Sequence, residues 1–510
     1  MSFQHSVVYK TPACGRGDIK KWPLSKEVED FLRKCEVHED KTLAQFCHGH
    51  SQLCCSDCII TIHSQCSNVT PVSELTNTQT TDLKGLSAEL KTVLGEIKSL
   101  QNSQEASFRS LQAAYKEHAK FMIERMRFNI NTTMDECGKS SVSTLGENEQ
   151  FIKEEICAGA LSILNEFDES TVKELTEMKD DVKSITCSIA SSIYKRTGLQ
   201  NELTQLYENI PKLNENKELC LIASIKCKEK IKQAFAMLGK SGKVFAVQGK
   251  SVHNVRMLSD SLKCSIRGIC VLADGHVLLV DYSNKNVKLL NLQYQVVSHL
   301  DVAPYNAEDI CQITPSKVAI AANKGNTTEV QFITVNRTKM LRGRKLQLQH
   351  ECRGIAHYQG DLLICSGTAL YKYALSGKLV CRLYEDPSHR SSVYKCSVSP
   401  TGEKLFITNR NQHKLLTLAR DGTILATFTH PELGLPQGVH VTSEGQVLVC
   451  GCVSHTIVQV DIEGRKKLAT LAVLWRDGEN FPQSVCYNTT TSSIIVGPNE
   501  EDNILVFSVK

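Results

Sequence analysis

No window of 18 or more apolar residues interrupts this 510-residue chain, so no segment offers a membrane-spanning helix. The opening residues, MSFQHSVVYK, lack the apolar run behind a basic start that a secretory leader needs. A cytoplasmic, reducing setting with no membrane contact is therefore expected, and in such a setting disulfides are rare. Proline is missing from Val72 to Ile210, which takes the strongest helix breaker out of the middle of the chain. Aromatic residues make up only 6% of the sequence. There is no G-x-S-x-G, no phosphate-binding loop and no H-E-x-x-H, so the expectation is that the chain is not an enzyme.

Cysteine, by contrast, is abundant. Of 22 cysteines, seven precede residue 70, five lie in the middle third and ten follow residue 260. The later fifteen show no ligand-like spacing and often sit in apolar runs, as Cys365 does in LLIC and Cys450 in VLVC. They read as small buried hydrophobes. Charge is uneven as well: residues 240–510 hold 30 Lys and Arg against 22 Asp and Glu, while residues 1–239 hold 29 against 33. A basic C-terminal half permits a nucleic-acid or acidic partner without demanding one.

The early cysteines fall into a pattern. CEVH supplies Cys35 and His38, CHGH supplies Cys47 and His50, CSDC supplies Cys55 and Cys58, and HSQC supplies His63 and Cys66. Each pair is separated by two residues, the spacing that lets two side chains of one turn reach a single tetrahedral ion. Eight ligands are enough for two closed, structural Zn2+ sites with no open position for catalysis. So short a segment has too few large apolar residues to hold a core alone, and metal must provide much of its folding energy. Cys54 and His48 lie beside the chosen ligands. Cys55 and His50 are preferred because they preserve the two-residue spacing.

This stretch resembles the B-box type 2 finger of the tripartite-motif family, and FCHGHSQLCCSDC resembles the family's central segment. The resemblance implies interleaved pairs, with Cys35, His38, Cys55 and Cys58 on one ion and Cys47, His50, His63 and Cys66 on the other. Many members carry Asp and His where this chain has His50 and Cys66, but both of these are competent ligands. Many members also place a RING finger before the B-box. Residues 1–34 offer only Cys14 toward the eight ligands that a RING needs, so autonomous ubiquitin-ligase activity is not expected.

In the proline-free middle, alternating steps of three and four from Leu83 meet Leu86, Leu90, Val93, Ile97, Leu100, Gln104, Ser107, Leu111 and Ala114. A second run passes through Met178, Val182, Ile185, Ile189, Ser192, Arg196, Leu199, Leu203, Leu206 and Ile210. A sustained 3.5-residue spacing is the coiled-coil pattern, because only that period keeps one stripe against a partner helix. The period lapses around 137–147, where a break is expected. A second copy of the chain is the simplest cover for the stripe; the family resemblance implies an antiparallel homodimer.

After Lys240 the texture changes to short apolar runs between Gly, Asn, Asp and Ser. Taking Gly268, Asp309, Gly354, Lys395, Gly438 and Ser484 as equivalent, repeats recur at spacings of 41, 45, 41, 43 and 46. A period of this size with several strands per unit predicts a six-bladed β-propeller. The last unit stops after its third strand, so residues within 244–262 are expected to supply the fourth and close the ring. The pattern is similar to the NHL-type propeller of one branch of the tripartite-motif family.

The sequence thus predicts a multidomain chain: an N-terminal segment (1–30), a small zinc-binding B-box (31–70), a long α-helical coiled coil (75–239) and a C-terminal six-bladed β-propeller (243–510). The preferred reading is a scaffold that dimerises through its coiled coil and recruits a protein target through its propeller. By resemblance, a link to ubiquitin or innate-immune signalling would run through a RING-bearing partner. The alternative is an RNA-binding regulator that uses Arg337, Lys339, Arg342, Arg344 and Lys345, five positive charges within nine residues. A third reading, a propeller hydrolase with a cation ringed by loop residues such as Asp281, Asn323, Asn409 and Asn499, is disfavoured, since those residues suit ordinary turns equally well.

Overall fold

The computed structural model describes residues 25–76, 81–143, 149–213, 216–325, 327–474 and 481–510, with side chains left out of account at 136–161 and 163–168. The chain divides into two compact units, Met1–Ile97 with Arg196–Ala234, and Lys98–Lys195 with Phe235–Lys510. It is multidomain, with long helices in its N-terminal half and propeller-like sheets in its C-terminal half.

In the first unit, helix α1 (Lys26–Arg33) carries Glu27 and Glu29 in its first turn and Arg33 in its last, which complements the helix dipole. Strands β1 (Gln45–Cys47), β2 (Gln52–Cys54) and β3 (Val69–Pro71) form one small sheet in the order β2-β1-β3. The short helices α2 (Ser56–Thr61) and α3 (Val72–Leu75) complete this module. One core cluster of it is mostly cysteine, Cys35, Cys47, Cys54, Cys55 and Cys58 around Leu43, and Val72 and Leu75 of α3 are buried as well.

Two long helices, α4 (Leu83–Ser143) and α5 (Glu149–Asn209), occupy the proline-free stretch. Asp82 starts α4 by accepting a hydrogen bond from the Gly85 N–H at 2.9 Å, and α5 ends just before Pro211. Helix runs through Ser143, and the rest of the anticipated break, 144–148, lies outside the described residues. Residues 1–24 of the N-terminal segment also lie outside them. Of the heptad positions, all but Leu83, Ala114 and Ser192 are buried within this single chain. Around Leu111, Val182, Ile185 and Ile189 the cover is not helix alone. These residues share one core with Phe332, Leu346, Leu348 and Tyr373 of the sheets. The reason is that a hydrophobic period states that a face needs cover but not what provides it. Helix α6 (Lys217–Met237) is capped by Asn216, whose side chain accepts from the Leu219 N–H at 3.1 Å. It stops at Gly239, whose φ of +69° suits a C-terminal glycine.

Among the described residues, the second unit holds six four-stranded antiparallel sheets. Their first strands, Ile266–Val271, Asn306–Thr314, Gly354–Tyr358, Lys395–Val398, Pro436–Val441 and Pro482–Asn488, touch one another in a closed cycle. Strand β4 (Val247–Asn254) pairs with Asn503–Val509 and completes the last sheet from the other end of the repeat region, within the stretch where the sequence placed it.

Glycine alternates around the inner ring, with Gly268, Gly354 and Gly438 each facing a larger residue of the next sheet. A Cβ at Gly354 would stand 2.8 Å from the Lys395 Cα, and one at Gly438 2.8 Å from the Ser484 Cα. The repeat therefore needs its glycine for close backbone approach.

Candidate metal centre

The eight predicted ligands fall into two groups of four, Cys35, His38, Cys55 and Cys58, and Cys47, His50, His63 and Cys66. Local geometry aims each pair. Cys55 caps α2 and its Sγ accepts from the Cys58 N–H at 3.4 Å, which turns both thiols to one side. Cys47 closes β1 where the chain reverses, so that His50 folds back with its Nδ1 3.4 Å from the Cys47 Sγ.

The donor atoms fit a shared divalent cation. Tetrahedral zinc, with Zn–S about 2.3 Å and Zn–N about 2.0–2.1 Å, requires S···S near 3.8 Å, S···N near 3.6 Å and N···N near 3.4 Å, all approximate. In the first group, Cys35 to Cys58 and Cys55 to Cys58 are both 3.6 Å apart, and His38 Nδ1 lies 3.3 Å from Cys55, 3.3 Å from Cys58 and 3.9 Å from Cys35. In the second, His50 Nδ1 lies 3.3 Å from the Cys66 Sγ and 3.1 Å from His63 Nδ1, which is 3.7 Å from Cys66. The first group is almost wholly buried, while the second leaves His50 exposed. The two groups could each hold a metal ion.

The neighbouring candidates are engaged elsewhere. Cys54 Sγ donates to the Gln52 carbonyl at 3.5 Å, and burial pushes its thiol up to about 11. His48 Nε2 pairs with the Thr70 hydroxyl at 3.0 Å.

A third grouping, Asp260, Cys264 and Asp281, gave no sequence signal, because its members are scattered and each resembles a turn or core residue. Lys288 fills the place a cation would take. Its Nζ lies 2.7 Å from Asp260, 2.9 Å from Asp281 and 3.1 Å from the Cys264 Sγ, and the side chains of the lysine and both aspartates are fully buried. Burial alone would raise the Asp260 carboxyl, but Lys288 and the Met257 N–H outweigh it and hold it below its ordinary value. This is an internal ion cluster, with the ammonium standing where a metal would.

The predicted basic patch is split. Arg337, Lys339, Arg342 and Lys345 are exposed, but Arg344 is not. Between the pairs Gln331–Lys345 and Ile333–Arg342 the register shifts, so that Gly343 and Arg344 together oppose Phe332. This bulge turns Arg344 inward, over the Phe332 ring at 3.9 Å and 3.7 Å from Asp181 of α5. Lys345 lies 3.4 Å from Glu329. Arg344 therefore cannot serve an external phosphate, which corrects the five-residue cluster.

The inner strands also enclose a cavity of about 350 Å3, lined among others by Arg267, Gln312, His357, Lys395 and His440. Lys395 Nζ reaches the Arg267 carbonyl at 3.2 Å and the Glu308 carbonyl at 2.5 Å, tying inner strands of three sheets together. Burial lowers His357 and His440 to about 4. The four loop residues weighed as cation ligands are committed locally: Asp281 to Lys288, Asn323 to the Cys352 carbonyl, Asn409 to Gln412, and Asn499 to the Ser265 hydroxyl.

No protein-family model matches the sequence, and no curated protein matches it. Among solved structures, the chain is similar to virginiamycin B lyase from Staphylococcus aureus, with 15% identity and a TM-score of 0.38 over 52% of this chain and 99% of that one. It is also similar to a streptogramin B lyase, with 10% identity and a TM-score of 0.40 over 51% and 98%. A PQQ-bound aldose sugar dehydrogenase from Streptomyces coelicolor follows, with 12% identity and a TM-score of 0.39 over 52% and 100%. These neighbours overturn the expectation that the chain is not an enzyme: enzymes stand among the propellers it resembles, so the lack of a catalytic motif excludes nothing. At such identities the likeness concerns fold alone and assigns no reaction. Among the described residues, no helix is long and apolar enough to cross a membrane.

Proposed function

We propose that this chain is a zinc-dependent cytosolic scaffold in which a B-box-type module with two Zn2+ ions, a helical rod and a six-bladed propeller act together. The observation that carries the proposal is the pair of interleaved ligand tetrads, whose donor atoms sit at the separations of tetrahedral zinc. Within each tetrad, thiols and imidazoles crowd together at a cost that a divalent cation would remove. Cys35, His38, Cys55 and Cys58 would hold one ion and Cys47, His50, His63 and Cys66 the other. Zinc bound there would cross-link segments that have almost no apolar core of their own.

The rod dimerises in this proposal. Phe121 and Phe128 are seven residues apart on α4, Ile123 and Ile130 repeat that spacing on the opposite side, and all four are exposed. A heptad spacing on an exposed face fits another helix, and a second copy of the chain supplies one. The closed cycle of inner strands supports six blades, whose outer loops would recruit the protein target. The test is metal analysis of the purified chain together with its mass in solution. Two zinc ions per chain and a dimer support the reading. A metal-free, folded residue range 31–70 or a strictly monomeric chain would count against it.

A further inference from the structure

The first ligand, Cys35, is gripped from both sides by a helix almost 200 positions away. Lys226 of α6, mostly buried, donates from Nζ to the Lys34 carbonyl at 2.9 Å and to the Phe31 carbonyl at 3.5 Å. Those carbonyls belong to the C-terminal end of α1, where a cation is favoured by the helix dipole. One turn further along α6, Lys230 Nζ lies 2.9 Å from Glu36 and 2.7 Å from Glu202. A third bond, Arg33 to Glu218 at 3.0 Å, anchors the residue two before the ligand. Thus Arg33, Lys34 and Glu36, the neighbours of Cys35, each bond to α6. Lys226 and Glu229 also line a cavity of about 100 Å3 together with Cys35, Cys58 and His63.

The two tetrads differ in charge. Three thiolates and one imidazole around a divalent cation carry a net negative charge, whereas two thiolates and two imidazoles are neutral. The buried ammonium of Lys226 stands beside the tetrad that needs one, and groups that orient and charge-balance ligands tune metal affinity.

We infer that Lys226 and Lys230 are positioning residues of the three-thiolate metal site, so that this site holds its ion tightly only when α6 is docked against it, while the His50–His63 site does not depend on them. The inference rests on reading the tetrads as zinc sites. It makes metal occupancy at Cys35 a reporter of how the zinc module sits on its own helix.

The experiment titrates the full-length, metal-free chain with cobalt(II), whose visible absorption distinguishes a three-thiolate site from a two-thiolate one. Lys226→Met and Lys230→Met should each weaken the three-thiolate signal by about 10–100-fold in affinity, as loss of a ligand-orienting partner does. The two-thiolate signal should keep its affinity, and Lys226→Arg should restore much of the first. Equal affinities in wild type and both variants would overturn the inference. So would a parallel loss at both sites, which would mean general destabilisation. If Lys226→Met does not fold, Lys230→Met and Lys226→Arg decide the question. If the wild-type chain shows neither signal, the zinc reading itself fails.

Discussion

Replacing Lys288 with Met keeps the length and apolar stem of the side chain but removes its ammonium from between Asp260 and Asp281. In the native chain Nζ sits 2.7 Å and 2.9 Å from the two carboxylates, with all three side chains fully buried. The substitution leaves two carboxylates facing each other without a cation. Breaking a buried ion cluster in this way costs about 3–5 kcal/mol. For a domain of this size that corresponds to a fall in melting temperature of about 6–20 °C.

The pH dependence follows from the sign of the shift. Asp260 is held below its ordinary value in the native chain, so its contribution is present above the unfolded pKa and is lost only as pH falls through the depressed one. Without Lys288, burial pushes the Asp260 carboxyl upward instead. Stability in the variant is then greatest with Asp260 protonated and is lost as pH rises. The gap between wild type and variant should therefore be widest at pH 7 and should narrow toward pH 5. Calorimetric scans of the propeller transition at both pH values test this, with a chelator present so that no metal takes the vacated place. A second variant combining Lys288→Met with Asp281→Asn should recover part of the loss. A drop below about 1 kcal/mol, or one that is the same at both pH values, would refute the reasoning.

Other expectations are equally direct. Cys54→Ser should leave the bound zinc unchanged and Cys55→Ser should remove one ion, as read by elemental analysis, because the Cys55 Sγ lies 3.3 Å from His38 Nδ1 while the Cys54 Sγ bonds to the Gln52 carbonyl. Asp181→Ala leaves Lys317 and Arg344 as buried cations without the carboxylate they approach at 2.6 and 3.7 Å. A loss of about 3–5 kcal/mol should appear as faster amide exchange in residues 98–195. Gly438→Val drives a side chain to within 2.8 Å of the Ser484 backbone and should cost about 1–3 kcal/mol or more in thermal scans. Phe121→Glu with Phe128→Glu should reduce self-association measured by sedimentation without altering helix content.

What could be read in the sequence was what repeats locally. Pairs such as Cys35 and His38 announce themselves by a two-residue gap, and Gly268, Gly354 and Gly438 mark the blades because each lies against the next backbone. The partners of a pair are another matter. Which pair joins Cys35–His38 depends on how the β1–β2 hairpin and α2 fold back, and only the family resemblance anticipated the interleaving. The Lys288 cluster left no trace, since its three acidic and thiol partners are spread over residues 260–281 and each has a commonplace reason to be there. Arg344 leaves the surface for a specific reason. A run of charges between blades reads as one solvated surface, and the bulge at Gly343–Arg344 that turns Arg344 inward has no local signature. The stripe from Leu86 to Leu111 needs cover, but its end packs on a sheet as well as on α5, and periodicity cannot distinguish the two.

The zinc count of a double variant tests the central claim most directly. Cys35 and Cys58 belong to one tetrad here, 3.6 Å apart, although 23 residues separate them. Native mass spectrometry of the chain carrying Cys35→Ser and Cys58→Ser should show one zinc per chain against two in the wild type. If the pairs instead joined in sequence order, each substitution would strike a different site, and a count of zero would contradict the account.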